Sequence, residues 1–480
     1  MIIEPTCGVG NFIAAAIDVF DTVKEVYGIE IFKGYIEKTE QKLKEYRNKS
    51  RAIAYKLYNT NIFTFNFEEI IHKNKNKNIL ILGNPPWVTN SSLGKNEGNN
   101  LPVKGNINKV KGIDAITGKG NFDIAESICN LMIDAFSHHH STHIALLVKN
   151  SVIRNILYRQ HTHPRDIQDI RQLDFDAKKE FQVSVTASLF ECHIGKTHQK
   201  QCMSYNFYTQ QYSHSFGWVE NAFVSNTQDY GQTSFLDGHS PLTWRSGIKH
   251  DCSKVMELSL DGSTYSNGLK EVVDVDDATI FPLLKSSDIS KDIKTIRKYL
   301  VLPQTRISEN TAALQRNAPK TYSYLLSHAA YLDRRKSIIY RNKPRFSVFG
   351  LGDYSFAPYK VVISSLYSNL KFSLVEPIAG KPVMVDDTCY LLGFDNIEYA
   401  RLTLFILQSE LLRSFIRNIS FMDAKRVVSR DILMRINLYK LSKAVDYSDI
   451  DIPQKSIEEY QNWLYMQTTP SLFCCQAANS

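Results

Sequence analysis

Apolar positions in the first part of this chain come in two rhythms. Short unbroken runs, among them Val26-Tyr27-Gly28-Ile29, Ile79-Leu80-Ile81-Leu82 and Ile144 to Val148, have the length of buried strands and lack the three-to-four spacing of a helix face. The stretches 11–20, 33–46 and 123–137 lie between such runs and read as helices. Strands are predicted over 24–31, 53–58, 79–83, 143–149 and 183–194, the last by alternation. Strand and helix taking turns up to about residue 195 predicts a doubly wound, mostly parallel α/β sheet. Such sheets carry their ligand chemistry just past the carboxyl ends of the strands.

Two of those ends carry informative residues. The strand predicted over 79–83 runs into Asn84-Pro85-Pro86-Trp87. The Asn84 oxygen and the Pro85 carbonyl can both accept from one exocyclic amine, the prolines hold them in fixed geometry, and Trp87 offers a face to a planar base. At the start of the chain, Glu4-Pro5-Thr6-Cys7-Gly8-Val9-Gly10-Asn11-Phe12 places a Gly-x-Gly turn before a helix. Such a turn lets the backbone approach a nucleotide-like ligand, although by itself it is equally an ordinary turn. Glu30, about 20 residues beyond the glycines at the end of the strand over 24–31, suits the two hydroxyls of a ribose. It also suits a solvated strand end. Cys7 reads as a small buried residue rather than a nucleophile.

Glycine turn, ribose acid, the polar stretch Asn59-Thr60-Asn61 and then Asn-Pro-Pro-Trp, in that order, resemble the S-adenosylmethionine-dependent methyltransferases that modify exocyclic nitrogens. The chain is most similar to N6-adenine DNA methyltransferases of restriction-modification systems, with the catalytic half first and the target-recognition half last. The motifs cover about residues 1–195. Beyond them the likeness rests on layout and on stretches such as Pro344 to Gly350 and Gly352 to Phe356.

The resemblance implies a Rossmann-like methyltransferase domain over 1–200 and a mixed α+β target-recognition domain over 201–480. It implies that Glu4 and the Gly8 and Gly10 backbone hold the amino-acid end of S-adenosylmethionine, that Thr6, Asn11 and Phe12 also bind the cofactor, and that Glu30 holds its ribose. Asn61 stands where the family usually has an Asp for the adenine amine, and it accepts a hydrogen bond without the charge. Phe122 resembles the apolar residue beside the cofactor's adenine, and Phe181 a second aromatic face opposite Trp87 for a base turned out of the duplex. Plain packing is the competing reading for both phenylalanines. Asn84 and Pro85 would localise the N6 lone pair for direct transfer of the sulfonium methyl group, a catalysis of orientation without an unusual general base. The covalent route to cytosine carbon 5 needs a Pro-Cys pair, which the sequence lacks.

Composition changes this picture little. The chain has 480 residues, 43% hydrophobic and 22% charged, and a formal net charge of +8, which suits a polyanion but is weak by itself. No apolar run reaches the length of a membrane span, and eight cysteines without Cys-x-x-Cys spacing fit a reducing cytoplasm. His138-His139-His140 reads as a solvated surface rather than a metal tract. The Asn-, Gly- and Lys-rich stretch 91–120 reads as a flexible insertion or as a DNA-clasping loop. In the second half, Arg306, Arg334, Arg335, Arg341, Lys343 and Arg345 interleave with aromatic residues and predict a face for double-stranded DNA. Helices near 397–418 and 455–466 close the domain. No nuclease metal site is evident, so restriction would belong to a separate endonuclease.

Family members also carry a segment before the glycine turn, with a motif that closes over the methionine. Here the turn follows Met1-Ile2-Ile3, which implies a stunted first strand and a fragment or mis-started product whose cofactor affinity rises when upstream sequence is restored. Methylation of cytosine N4, of an RNA base or of a glutamine amide uses related logic, and a truncated, inactive DNA-binding protein is the non-enzymatic alternative.

Overall fold

The structure, a computed structural model, describes residues 1–47, 53–88, 123–183, 185–291, 295–307, 309–423 and 426–468. Two compact units divide at Gln228/Asp229. Among the described residues no helix is long and apolar enough to cross a membrane.

The first unit is built on a ten-stranded sheet. In chain order its elements are β1 (Ile2–Glu4), α1 (Asn11–Val19), β2 (Glu25–Glu30), α2 (Lys33–Arg47), β3 (Ala54–Asn59), α3 (Glu68–Lys73), β4 (Ile79–Gly83), α4 (Ile124–Ala135), β5 (Thr142–Lys149), α5 (Asn150–Arg159), β6 (Ile167–Phe175), α6 (Ala177–Phe181), β7 (Ala187–Ile194), β8 (Gln201–Asn206), β9 (Tyr212–Val219) and β10 (Ala222–Val224). The strand order is β10-β9-β8-β6-β7-β5-β4-β1-β2-β3. Strands β3, β2, β1, β4 and β5 are mutually parallel, and β7 enters antiparallel between β5 and β6. The expected doubly wound α/β sheet is therefore present, with its order reversing between β1 and β4.

The five strands expected from the sequence are present, at Glu25–Glu30, Ala54–Asn59, Ile79–Gly83, Thr142–Lys149 and Ala187–Ile194. β1 has only three residues, all buried, yet pairs on both sides. Strand β6 escaped the sequence reading. Its register shifts between Gln168 and Arg171, and Asp169 adopts φ of 52°. The bulge spaces Ile167, Ile170 and Leu173 by three, which hides the alternation of a strand. The domain boundary also differs from expectation. Residues 201–224, placed with the second domain from sequence, extend the first sheet as β8 to β10, with β8 parallel to β6 and Cys202 and Ser204 fully buried.

His139 is the exception in its His tract. It is buried, with Nδ1 2.8 Å from Thr142 Oγ1 and Nε2 3.1 Å from the Asn74 carbonyl oxygen, while His138 and His140 are exposed as expected. It is a satisfied core histidine that joins the end of α3 to the start of β5.

The second unit, from Asp229, holds two small sheets. One is antiparallel, in the order Arg245–Ser246, Cys389–Phe394, Tyr359–Ser364 and Phe372–Val375. The other runs Thr264–Ser266, Glu257–Asp261, Lys298–Val301, Ile280–Leu284 and Met384–Val385. Val255, Leu258, Leu300, Leu325, Phe346 and Val348 anchor its larger core. The helix expected over 397–418 is two helices, Ile397–Leu407 and Glu410–Ile419, because the Ser409 hydroxyl accepts the Leu412 amide and starts a new helix. The last helix spans Gln454–Thr468.

Candidate active site

The carboxyl ends of β1, β2 and β4 bring the two sequence motifs to one edge of the sheet. Gly8 and Gly10 both have left-handed backbones, φ 51° and 73°, which only glycine adopts without strain. A Cβ at Gly8 would meet nothing within 4 Å, so the turn faces open space. A Cβ at Gly10 would lie 2.6 Å from Thr39 Cγ2, so α2 closes the turn from behind. The Thr39 hydroxyl donates to the Gly8 carbonyl at 3.0 Å. Thr39 was not singled out in the sequence, where it is one polar residue on a helix.

Two buried carboxylates frame this turn. Oε2 of Glu30 accepts the Gly8 amide at 3.0 Å and its Oε1 accepts the Phe32 amide at 3.0 Å. Glu4, 2% exposed, accepts the Ile13 amide in the first turn of α1 at 3.3 Å. Burial pushes the Glu4 carboxyl well above its ordinary range, and neighbouring Glu30 adds to this. Cys7 is buried behind the turn, its thiol pushed up to about 12 by burial and by Glu4 and Glu30, which leaves no nucleophile there. The Thr6 hydroxyl is buried without a hydrogen-bond partner. An open glycine cradle, two buried acids and an orphaned hydroxyl fit a ligand bearing ammonium and hydroxyl groups.

The other expected cofactor residues are less free. Asn11 is exposed and accepts from Lys42 Nζ at 2.6 Å, while Phe12 is half-buried. Asn61 caps a short 3-10 turn at Ile62–Thr64, accepting the Phe63 amide at 3.0 Å, which uses one lone pair of the oxygen assigned to adenine. Phe122 and the 91–120 stretch lie outside the described residues.

Asn84 follows β4 directly. A Cβ on Gly83 would come 3.3 Å from Glu4 Cγ, so the glycine lets the ends of β1 and β4 close up. Asn84 Oδ1 is buried and has no hydrogen-bond partner. A buried acceptor left unmade costs about 1–3 kcal/mol, a cost that only a donor arriving from outside removes. Pro85 is buried, Pro86 exposed, and Trp87 half-buried. The indole Nε1 of Trp87 donates to the Leu147 carbonyl at 3.0 Å, which aims the ring from β5.

Phe181 does come to Trp87, but not as a parallel face. Ring centroids are 5.7 Å apart at 72°, an edge-to-face contact with no base-wide slot between the rings. It ends α6 rather than starting a strand, and is 42% exposed. Phe175 packs against it at 5.7 Å and Phe207 against Phe175 at 6.1 Å, an aromatic row the sequence did not reveal because its members lie on three elements. Beneath α6, Asp174 accepts from Gln172, Ser188, Ser204 and Asn150, which ties β6, β7, β8 and α5 together.

In the second unit the six basic residues assigned to DNA divide. Arg335 is a structural pin. Its guanidinium donates to the carbonyls of Leu332, Ser347, His250 and Arg345 and lies 3.8 Å over the Tyr340 ring. Arg345 forms a two-pronged pair with Asp333, at 3.2 and 2.6 Å. Both make these contacts within the protein, which the sequence reading did not foresee. Arg306, Arg334, Arg341 and Lys343 are exposed.

No family model matches the sequence. The Type II methyltransferase M.NspV of Nostoc sp. (strain ATCC 29411 / PCC 7524) is 39% identical over 450 residues, covering 93% of this chain and 92% of its own. Among solved structures, the Type IIL restriction-modification enzyme MmeI in complex with DNA superposes with a TM-score of 0.57 over 98% of this chain and 71% of that one, at 11% identity, a likeness of fold alone. With the glycine cradle, the acids and the Asn-Pro-Pro-Trp loop gathered at one sheet edge, the chain belongs to the Type II methyltransferases, and its methyl donor is S-adenosylmethionine.

Proposed function

We propose that the chain transfers a methyl group from S-adenosylmethionine to the N6 amine of an adenine turned out of double-stranded DNA. The modification serves a restriction system whose nuclease is a separate chain. The observation that carries the reading is the buried, unpartnered Oδ1 of Asn84 beside a half-buried Trp87. An exocyclic N–H is the donor that such an acceptor lacks, and a flat base is what the ring accommodates.

In this reading Glu30 and the Gly8–Gly10 turn hold the ribose and methionine ends of the donor, with Glu4 facing the ammonium. Asn84 and the Pro85 carbonyl orient the amine, and drawing on its two hydrogens localises the nitrogen lone pair. Trp87 stacks on the base, with Phe181 against its other side once the two rings separate. The cofactor supplies an electrophilic methyl group, so the protein's task is orientation and the exclusion of water. Arg306, Arg334, Arg341 and Lys343 meet phosphates or base edges.

Purified protein incubated with labelled S-adenosylmethionine and either plasmid DNA or RNA tests this. Label recovered as N6-methyladenine from DNA is the expected result. Label in N4-methylcytosine, or in RNA alone, overturns the assignment.

A further inference from the structure

The Asn-Pro-Pro-Trp loop is held at its far end by a residue that neither motif contains. Lys149 is the last residue of β5, and its side chain is 20% exposed. Its Nζ donates to the Trp87 carbonyl at 3.1 Å and pairs with Asp123 Oδ2 at 2.7 Å. Asp123 uses its other oxygen to cap α4 through the Ala125 amide at 3.0 Å, and the Ile124 amide donates to the Val88 carbonyl at 3.1 Å. With the indole bond to Leu147 two residues earlier on β5, Trp87 is gripped at both its ring and its carbonyl by one strand end. Residues 87 and 123 therefore meet at the same lysine.

We infer that Lys149 is a positioning residue for methyl transfer, fixing the Trp87 ring plane and hence the target amine against Asn84. The inference rests on the proposed role of the loop, but its chemistry is independent of which base is used. An ammonium reaches a carbonyl and a carboxylate at once. Its charge is met by Asp123, so it places no net positive charge beside an amine that becomes cationic as it attacks. A loop with two prolines is stiff only between its anchors, and Lys149 supplies the anchor after Trp87. Displacement of a reacting group by about 1 Å costs on the order of 100-fold in rate, so releasing the carbonyl reads out in turnover rather than in cofactor binding.

The test compares wild type with Lys149→Met and Lys149→Arg, scoring total methyl transfer to plasmid DNA whatever base accepts it. The expected result for Lys149→Met is kcat lower by about 10- to 100-fold, with KM for S-adenosylmethionine within about twofold. Lys149→Arg, which keeps both donors, recovers most of the rate. The protein has four tryptophans, so 5-fluorotryptophan labelling gives a second, activity-independent reading, with Trp87 assigned from Trp87→Phe. The Trp87 fluorine signal should broaden or split in Lys149→Met and stay single in Lys149→Arg. Unchanged kcat and an unchanged Trp87 signal in Lys149→Met overturn the inference. So does a loss that falls equally on cofactor KM and on thermal stability. Methyl found on cytosine N4 overturns the adenine reading while leaving the comparison of variants to be read by itself.

Discussion

The Gly8 amide donates to Glu30 Oε2 at 3.0 Å, across 22 residues of sequence. The turn after β1 and the acid ending β2 are thus one device, and Glu30 shapes the cradle besides its proposed role on the ribose. Glu30→Gln replaces an acceptor-only carboxylate by an amide whose nitrogen cannot accept from Gly8 or Phe32. Hydrogen bonds to a charged group contribute about 1.5–3 kcal/mol, so cofactor affinity is expected to fall by roughly 10- to 100-fold in a calorimetric titration. Equal affinity would remove Glu30 from the site.

Glu4 makes the opposite trade. Its carboxyl is raised above the ordinary value of 4.5 by burial, so in the cofactor-free protein the charged form is disfavoured. A folded-state value above the unfolded one means stability that is complete below about pH 4.5 and is lost as pH rises. Glu4→Gln keeps the acceptor for Ile13 and carries no charge, so at neutral pH the cofactor-free variant should melt higher than wild type. S-adenosylmethionine should then raise the melting temperature of wild type more than that of the variant. Lower stability of the variant at pH 7 would contradict this.

What was legible in the sequence was local. Asn84 to Trp87 and Glu4 to Phe12 each form their device within a few residues, and strand ends placed both. Thr39, Asp123 and Lys149 were not legible, because they act only where the fold brings them, Lys149 onto Trp87 from 62 residues away. Strand β6 was masked by its bulge. The strands at 201–224 were placed with the second unit because the pairing of β8 with β6, which brings β9 and β10 onto the same sheet, is non-local. Arg335 shows the converse. Its charge suggested a DNA ligand, whereas its hydrogen bonds to backbone carbonyls, which leave no mark in sequence, give it a structural role.

That division of the basic residues is itself testable. Arg335→Lys loses the fork of donors and the stack on Tyr340, and should cost about 2–3 kcal/mol in denaturant unfolding. Arg341→Ala, at an exposed position, should leave stability within about 0.5 kcal/mol. It should instead weaken DNA binding and lower the salt slope by about one. The reverse pattern would return Arg335 to the DNA face.

An acid-limb prediction concerns Glu25, at the start of β2. Burial would raise its carboxyl, but Lys77 at 2.7 Å, the Tyr27 hydroxyl at 2.6 Å and Lys73 at 3.2 Å outweigh it and hold it at about 2. A depressed folded value means stability present above the unfolded value near 4.5 and lost as pH falls toward about 2. Glu25→Gln should therefore be less stable than wild type at neutral pH, by about 1 kcal/mol for pairs with half-exposed lysines. The difference should shrink across that acid window in a series of thermal melts, and a gap that persists at the acid end would contradict the assignment.

The central claim is that Asn84 awaits an exocyclic amine of adenine. It is tested most directly by expressing the protein in a bacterium devoid of adenine methylation and measuring N6-methyladenine in digested DNA by mass spectrometry, beside Asn84→Ala. N6-methyladenine is expected with wild type and none with Asn84→Ala, at undiminished thermal stability, since Oδ1 makes no hydrogen bond to lose. Wild-type protein that leaves adenine unmodified, or an Asn84→Ala variant that methylates as well as wild type, would contradict it.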